Sequence, residues 1–349
     1  MAETDKSNSV NRNSCATKAT KKLSIIIPLY NVEMHIANAA KSIKEQSFKG
    51  LEIVLVDDGS TDNSLDAFVS SLHGLDVTPI KQENTGPGGA RNAGILAATG
   101  EYIIFVDADD FLLPEALQNI LQVLGSDKPD VLFGRYLRYM PSTGLITAEP
   151  HNYAPPIEPK LRTEYIIGVF PEPSWNSVWR YVCKRDFILR HELFFAPSMY
   201  CEDLKWVLEL LDAVEKDTAK LLFLEMPFYA YNYKRPGSIM NSTSPKLVVD
   251  LVTIIKDALP RYKDRPLICK ELVWQTFYYI NEYCTFEKQH RPMIFDTYRG
   301  VLPMYHLAQS PFYSMVSAFR NRLVFHCLSV ALRAVQVIRW CWKYGRKPN

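Results

Sequence analysis

Five residues of this chain, Val106-Asp107-Ala108-Asp109-Asp110, directly follow an apolar run from Tyr102 to Phe105. The apolar run predicts a buried strand. Three carboxylates bunched at the end of one strand repel each other, and a divalent cation removes that repulsion. Hard oxygen ligands suit Mg²⁺ or Mn²⁺, and such ions usually bridge to substrate phosphates. The cluster therefore predicts a cation site that holds a phosphate compound.

The cluster also has a purely structural interpretation. Asp109 or Asp110 could cap the helix that is predicted to begin near Pro114. Ligands of open α/β sheets bind at the carboxyl ends of the strands, which favours the cation site. Taken alone, the cluster leaves both interpretations open.

Two further strand ends carry groups that could bind a ligand. The first predicted strand ends in Pro28-Leu29-Tyr30-Asn31, and the second ends in Val56-Asp57-Asp58-Gly59-Ser60. In a parallel sheet these ends share one edge with the acidic cluster. Asp57 or Asp58 could accept a hydrogen bond from a nucleobase N–H, and Tyr30 offers the base an aromatic face. The alternative is a turn with a helix cap after the second strand and an ordinary loop tyrosine after the first.

A glycine-rich segment, Asn84 to Gly94, precedes another predicted helix. Its glycines predict a close approach between the backbone and a ligand. Arg91 is predicted in the first helical turn, where the macrodipole does not favour a cation, so we expect an anionic or base-edge partner. The segment is not a Walker A loop, because no Gly-Lys-Ser/Thr follows. It is not a GxGxxG motif either, because Arg91 occupies the sixth position when Gly86 is counted as the first.

Strand-like and helix-like patterns alternate through the first half of the chain. This alternation predicts an α/β fold with a doubly wound, mostly parallel sheet. The predicted strands are Leu23–Pro28, Leu51–Val56, Val77–Lys81 and Tyr102–Val106, and the predicted helices are Glu33–Gln46, Asp62–Leu72, Gly89–Ala98 and Pro114–Leu124.

Four of these segments, in this order and at these separations, resemble the motifs of family 2 glycosyltransferases. They are Ile27–Asn31, Val56–Asp62, Asn84–Asn92 and Val106–Asp110. The resemblance is close from about Leu23 to Leu124. It implies a Rossmann-like GT-A fold, a nucleotide-sugar donor, inversion at the anomeric carbon, and Mn²⁺ or Mg²⁺ on Asp109 with Asp107. The donor-binding residues that it implies are Pro28, Tyr30, Asn31, Asp57, Asp58, Asn84, Gly86, Arg91 and Asp107.

The resemblance continues more loosely through the second half. Trp175–Arg185 is similar to the segment before the acceptor site, and Tyr231–Ile239 is similar to a loop near the diphosphate, which adds Arg235 to the donor-binding residues. Met199–Trp206 resembles the family's Glu-Asp motif. This implies Asp203 as the general base, with Glu202 beside it, although the pair also fits the start of a helix.

The chain lacks the Gln-x-x-Arg-Trp signature of processive synthases, which favours transfer of a single sugar. We therefore expect an inverting transferase that uses a nucleotide sugar, with a UDP-sugar favoured, and acts on a glycan or lipid-linked glycan in cell-surface polysaccharide synthesis. One alternative is a catalytically silent sugar-nucleotide-binding or scaffold protein. Another is a sugar-nucleotide pyrophosphorylase, which would need a Gly-rich loop with Arg and Lys where this chain has Pro28–Asn31.

Composition limits the remaining classes. The chain has 349 residues, 47% of them hydrophobic, and a net charge of +2, which does not suggest a nucleic-acid partner. Its seven cysteines form no CxxC pair, so we expect neither a zinc site nor a disulfide framework, but a reducing interior. No signal peptide is predicted. The predicted regions are a disordered tail (1–21), a nucleotide-sugar subdomain (22–130), an acceptor and catalytic subdomain (131–240) and a helical region (241–349).

Residues 312–349 contain seven Lys or Arg and no acid. A polar face recurs at steps of four and three, opposite an apolar face that carries interfacial tryptophans; its residues are Arg322, His326, Ser329, Arg333 and Gln336. This pattern predicts an amphipathic helix that lies on an anionic membrane. We therefore expect a cytoplasmic protein that is peripheral on the inner face of the membrane. The helix is too interrupted by charge to span the bilayer, which needs ~20 apolar residues. The alternatives are a helix docked on the catalytic region and an oligomer contact.

Overall fold

The computed structural model describes residues 21–46, 50–148, 166–167, 173–233, 244–265, 268–269 and 271–272. Four predictions concern residues outside these ranges: the tail before Lys21, the diphosphate role of Arg235, the helical region where it continues beyond Leu272, and the amphipathic helix of residues 312–349. No helix among the described residues combines the length and the apolar character that a membrane crossing requires.

The first half of the chain forms the parallel part of the sheet. Its strands are paired in the order β3-β2-β1-β4. The elements are β1 (Leu23–Leu29), α1 (Ile36–Lys44), β2 (Leu51–Asp57), α2 (Ser64–Ser71), β3 (Val77–Lys81), α3 (Gly86–Ala97) and β4 (Tyr102–Phe105). The predicted alternation of strands and helices is confirmed.

The second half continues the same sheet with mixed strand directions. The order runs β4-β8-β6-β9-β5, with β7 on the edge of β6. β8 is antiparallel to both β4 and β6, whereas β6 and β9 are parallel. The elements are β5 (Phe111–Leu112), α4 (Ala116–Ser126), β6 (Val131–Met140), β7 (Leu145–Ala148), β8 (Tyr181–Lys184), α5 (Arg185–Arg190), α6 (Glu202–Lys216), β9 (Leu221–Asn232) and α7 (Pro245–Arg261), with 3₁₀ turns at Pro173–Asn176 and Val178–Arg180.

Alternate side chains of the central strands enter two hydrophobic cores, one on each face of the sheet. Ile26 of β1 packs into the core shared with α3, α6 and α7, whereas Ile25 and Ile27 pack into the core shared with α1, α2 and α4. A strand buried on both faces is expected to be a nearly continuous apolar run, as β1 is from Ile25 to Leu29. The predicted doubly wound arrangement is therefore confirmed for the described residues.

Three predicted helix starts were wrong. α1 begins at Ile36 and not at Glu33. α3 begins at Gly86, which has a φ of +81°, so Arg91 lies in the second turn and not in the first. α4 begins at Ala116 and not at Pro114. The chain stays extended to Leu113 because β5 pairs with β9 and the Leu113 N–H donates to the Phe228 carbonyl (2.9 Å). α4 has no side-chain cap, so the capping interpretation of the acidic cluster is also wrong.

A buried carboxylate at the opposite edge of the sheet has no counterpart in the sequence predictions. Glu52 is 2% exposed and accepts hydrogen bonds from Lys21 Nζ (2.8 Å), Ser24 Oγ (2.5 Å) and the Thr99 N–H (2.7 Å). Burial alone would raise the pKa of Glu52, but these hydrogen bonds lower it to about 2. Glu52 thereby ties the start of β1 and the loop before β4 to β2.

Candidate functional site

The candidate site lies where β1, β2 and β4 end, at one edge of the sheet. Leu29 pairs in register with Asp57, and the Val106 N–H donates to the Ile26 carbonyl (3.0 Å), so the three strands finish side by side. The predicted convergence of the strand ends is confirmed by this topology. Arg91 contacts Asp107 after β4 and Asp203 at the start of α6, so the amino end of α6 lies at the same edge.

The end of β1 is joined to the loop after β2. Asn31, with a φ of +50°, donates its N–H to Ser60 Oγ (3.1 Å) and accepts the Thr61 N–H on Oδ1 (2.8 Å). Asn31 therefore holds the two loops together. Beside it, Tyr30 is 51% exposed, and Pro28 is partly buried within β1. An exposed aromatic ring on a fixed loop can receive a flat ligand.

Asp57 and Asp58 are both buried and both hold loops. Asp57 Oδ1 accepts the Ser60 N–H (3.0 Å), as the turn interpretation of this segment requires. Asp58 Oδ1 accepts Gln82 Nε2 (2.7 Å) and the Thr85 N–H (2.9 Å), which fixes the loop before α3. Among the described residues, these side-chain hydrogen bonds use only Oδ1 of each carboxylate. Their role toward a base stays a prediction.

The glycines of the segment that contains Asn84 and Gly86 admit another part of the chain. A Cβ on Gly88 would lie 2.9 Å from the Ala196 carbonyl oxygen, and one on Gly86 would lie 3.3 Å from Ser198 Cα. The Asn92 side chain also exchanges two hydrogen bonds, both of 2.8 Å, with the Phe195 backbone. The close approach that we expected from a ligand is therefore made here by residues 195–198, which lead into α6.

Arg91 lies between three carboxylates that come from both halves of the chain. It is 4% exposed and pairs with Asp107 Oδ1 (3.0 Å), Glu202 Oε1 (2.7 Å) and Asp203 Oδ1 (2.9 Å). Burial lowers the pKa of Arg91, but the carboxylates of Asp203, Asp107 and Glu202 outweigh that effect and raise it. The guanidinium therefore stays charged and links the end of β4 to the start of α6.

The anionic partner expected for Arg91 thus belongs to the chain itself, and sequence reasoning missed this network. One signal could have revealed it. A buried arginine needs paired charges, and Glu202 and Asp203 had no assigned counter-charge.

The two acids at the start of α6 differ in their surroundings. The Glu202 side chain is 9% exposed and packs near Gly88, whereas the Asp203 side chain is 24% exposed. Asp203 Oδ2 accepts the Val178 N–H (3.2 Å). Burial raises the pKa of Asp203 to about 7, although Arg91 opposes the rise. Asp203 can therefore exchange a proton near neutral pH, which is what a general base requires.

The three carboxylates after β4 also have different surroundings. Asp110 is 1% exposed and accepts Tyr229 Oη (2.7 Å) and the Asn232 N–H (2.7 Å). Burial, with the nearby charges of Asp109 and Asp107, raises the pKa of Asp110 well above its usual range. Asp110 therefore attaches this segment to β9. Among the described residues, no three or more His, Cys, Asp or Glu side chains are grouped so that they could hold a metal ion. The binding of a metal ion by Asp107 and Asp109 stays a prediction.

Comparison with known proteins finds a family match in the first half of the chain. Residues 24–187 match the family described as "Glycosyl transferase family 2". The uncharacterized glycosyltransferase YibD of Escherichia coli (strain K12) is 32% identical over 205 residues, which cover 55% of this chain and 57% of YibD. Glycosyltransferase GlyG of Streptococcus pneumoniae is 37% identical over 126 residues, 35% of this chain and 41% of GlyG. The matches thus span about half the length of these relatives.

Solved structures share the fold. The crystal structure of Staphylococcus aureus TarS 1-349 in complex with UDP-GlcNAc has a TM-score of 0.65 at 19% identity and covers 94% of this chain and 93% of TarS 1-349. Mannosyltransferase PcManGT from Pyrobaculum calidifontis, in complex with GDP-Man and Mn²⁺, has a TM-score of 0.51 at 15% identity and covers 91% of this chain and 80% of its own. The predicted GT-A fold is confirmed, and the resemblance to family 2 glycosyltransferases is confirmed for residues 24–187, which match that family.

Proposed function

We propose that this protein is an inverting glycosyltransferase that moves one sugar from a nucleotide-sugar donor to a glycan acceptor. The observation that carries this proposal is the bridge that Arg91 forms from Asp107 at the end of β4 to Asp203 at the start of α6. It places a carboxylate with a base-like pKa beside the strand end where ligands of such sheets bind. The glycosyltransferase names of the relatives support the same activity.

Inversion by a single displacement needs a base that takes the proton of the acceptor hydroxyl. Asp203 suits this role because it is ionised near neutral pH and only partly exposed. Each of its oxygens holds one described hydrogen bond, from Arg91 or from the Val178 N–H. A carboxylate oxygen has two acceptor sites, so Asp203 retains capacity for the hydroxyl proton. Glu202 holds Arg91 in place from the buried side.

We propose a UDP-sugar as the donor. Tyr30 would stack on the base, and Asp57 or Asp58 would accept its N–H through Oδ2. The remaining proposed donor contacts are Pro28, Asn31, Asn84, Gly86, Asp107 and Arg235. TarS, which shares the fold, was solved with UDP-GlcNAc, whereas PcManGT was solved with GDP-Man. Proteins with this fold therefore bind different nucleotides, and uridine is part of our proposal.

Asp107 and Asp109 would hold Mn²⁺ or Mg²⁺. The fit rests on their chemistry: both are hard oxygen ligands two residues apart at the strand end, and the Asp107 side chain remains 28% exposed beside Arg91. When bound, the ion supplies positive charge against the departing diphosphate. Arg91 offsets part of the repulsion between the carboxylates before the ion arrives.

Replacing Asp109 with alanine is expected to abolish the metal-dependent part of UDP binding, because one of the two carboxylate ligands is lost. Calorimetric titration of UDP with and without Mn²⁺ measures that part directly. Asp66→Ala, which removes an exposed acid of α2, is the matched control and should bind as the original chain does. Unchanged metal dependence in Asp109→Ala would refute this assignment. If the unmodified chain binds nucleotide sugars but releases no UDP from any of them, it is a silent binding protein instead.

We further propose that residues 22–130 bind the donor, that residues 131–240 bind a glycan or lipid-linked glycan acceptor for cell-surface polysaccharide synthesis, and that residues 312–349 hold the enzyme on the inner face of the membrane. The last point rests on the basic amphipathic pattern of that sequence.

Removing residues 312–349 is expected to release the protein from anionic vesicles. Each of the seven basic residues contributes about 1 kcal/mol near such a surface, which gives about 7 kcal/mol in total. Even half of that total would shift partitioning by more than about a hundredfold. Co-sedimentation of the full and truncated chains at low and high salt measures the effect, with UDP binding as the control. Equal partitioning of both chains would favour a docked helix or an oligomer contact, and truncation should then lower the melting temperature.

A further inference from the structure

Three aromatic rings are stacked beside the candidate site. Trp179 lies parallel to Tyr229, with ring centroids 4.4 Å apart and 5° between the planes, and nearly parallel to Tyr231, at 5.7 Å and 19°. Tyr136 supports Trp179 edge-on at 4.9 Å. Trp179, Tyr229 and Tyr136 are buried, but Tyr231 is partly exposed. The Tyr231 ring is therefore held in position from behind and available to a ligand in front.

Hydrogen bonds join this stack, or the residue next to it, to acidic residues of the candidate site at two points. Trp179 follows Val178, whose N–H donates to the proposed base Asp203 (3.2 Å). On β9, Tyr229 Oη donates to Asp110 (2.7 Å) and accepts the Asp107 N–H (3.1 Å).

The Tyr231 hydroxyl lies in the field of the same acids. Burial raises its pKa, and the charges of Asp110, Asp109 and Asp107 raise it further. The Tyr231 ring therefore lies close to the acidic strand end after β4.

The sheet order separates this ring from the proposed nucleoside contacts. Tyr30, Asp57 and Asp58 follow β1 and β2, on one side of β4, whereas Tyr231 lies in β9, beyond β8 and β6 on the other side. A nucleotide sugar that extends from β2 to the acids after β4, with its diphosphate near the proposed contact Arg235, leaves the ring of Tyr231 for the second substrate.

On the basis of the proposed transferase function, we propose that Tyr231 forms the floor of the acceptor subsite and that this subsite takes a pyranose ring. A pyranose in its chair form presents axial C–H groups on one face and hydroxyls around its rim. Such a face is apolar enough to pack on an aromatic ring, while the rim can reach the polar groups nearby. Asp203 accepts the N–H of Val178, the residue before Trp179, and Tyr229 contacts Asp110 and the Asp107 N–H, so the sugar would sit between the base and the donor.

Saturation-transfer NMR with methyl β-D-glucopyranoside as the probe, in the presence of UDP and Mg²⁺, tests this subsite in the full chain. Saturation should concentrate on the axial protons of one sugar face, and the acyclic alditol sorbitol should receive much less. Tyr231→Phe should retain glucoside affinity, whereas Tyr231→Leu should weaken it at least about tenfold, which corresponds to about 1.4 kcal/mol. UDP affinity should stay unchanged in both variants.

Tyr30→Leu is the matched control, because Tyr30 is an exposed aromatic residue on the other side of the site. It should weaken UDP and leave the glucoside signals unchanged. Replacing Mg²⁺ with Mn²⁺ in the unmodified chain should broaden the glucoside resonances, and this measurement does not depend on how well a variant folds.

Several outcomes would overturn the subsite. In Tyr231→Leu, these outcomes are unchanged glucoside binding, or a loss of UDP binding instead of glucoside binding. In the unmodified chain, they are equal signals from sorbitol and the glucoside, or the absence of saturation transfer or of broadening by Mn²⁺. Failure of the unmodified chain to bind UDP would count against the proposed function, whereas intact UDP binding with unchanged glucoside signals would count against the subsite alone.

Discussion

Asp203→Asn is expected to slow sugar transfer at least about a hundredfold while donor affinity stays within about twofold, because a positioned general base contributes ~10²–10⁴ in rate. Asparagine keeps the size of the side chain and can still accept the Val178 N–H, but it cannot take up the acceptor proton. Release of UDP from the donor in the presence of acceptor, compared with UDP affinity by calorimetry, separates these two effects.

The same assignment fixes the direction of the pH dependence. The base works only when ionised, and burial raises the pKa of Asp203 to about 7 against the opposing charge of Arg91. Transfer in the unmodified protein should therefore fall about tenfold per pH unit below about 7 and level off above it, as expected for one ionisation. Asp217→Asn, a change in a solvent-facing acid paired with Arg190 and His191, should leave this profile unchanged. Near-normal turnover in Asp203→Asn would show that another residue is the base.

Arg91→Met is expected to lower the free energy of unfolding by about 3 kcal/mol, because it leaves the paired carboxylates of a buried network without their cation. The value lies at the low end of the range for such pairs, since Asp107 and Asp203 keep 28% and 24% of their side-chain surface exposed. Urea denaturation at pH 7 measures the loss. Because Arg91 holds down the pKa of Asp203, the acidic limb of the transfer profile should also move to higher pH.

Arg190→Met is the matched control. Arg190 is 58% exposed and makes a single described ion pair, with Asp217 at 3.3 Å, so its loss should cost less than about 1 kcal/mol. Arg91→Lys should recover part of the stability, because an ammonium retains the charge but cannot reproduce the planar geometry of the guanidinium. Equal stability of Arg91→Met and Arg190→Met would show that the buried network contributes little, and an unshifted pH profile would show that Arg91 does not tune Asp203.

Local patterns in the sequence were sufficient for the parallel half of the fold. The apolar runs of β1, β2, β3 and β4 gave strand positions within one residue of those observed, and the face of α1 that carries Ile36 and Ile43 is the buried one. These signals are readable because a buried strand or an amphipathic helix repeats its pattern over a few neighbouring residues. The direction of the strands then places the ends of β1, β2 and β4 at one edge.

Helix starts were less readable, because they depend on contacts with distant residues. α4 starts late because Leu113 bonds to Phe228 on β9, a strand more than a hundred residues away in sequence. The mixed second half of the sheet was not predicted strand by strand for the same reason. Its long strands β6 and β9 pair across the intervening chain, and no local period records which partner a strand takes.

The sequence by itself determined the strand ends that carry the acids, the resemblance to the family, and which residue types were available for chemistry. Only the tertiary structure decided what each of them touches. The partners of Arg91 lie 16, 111 and 112 residues away from it, and Gly88 is small because residue 196 passes beside it. Asp107, Asp109 and Asp110 look equivalent in sequence, yet of these three only Asp110 is buried, with its carboxylate bonded to Tyr229 and Asn232 of β9. Charge pairing and burial are properties of neighbours in space, and a one-dimensional pattern records only neighbours along the chain.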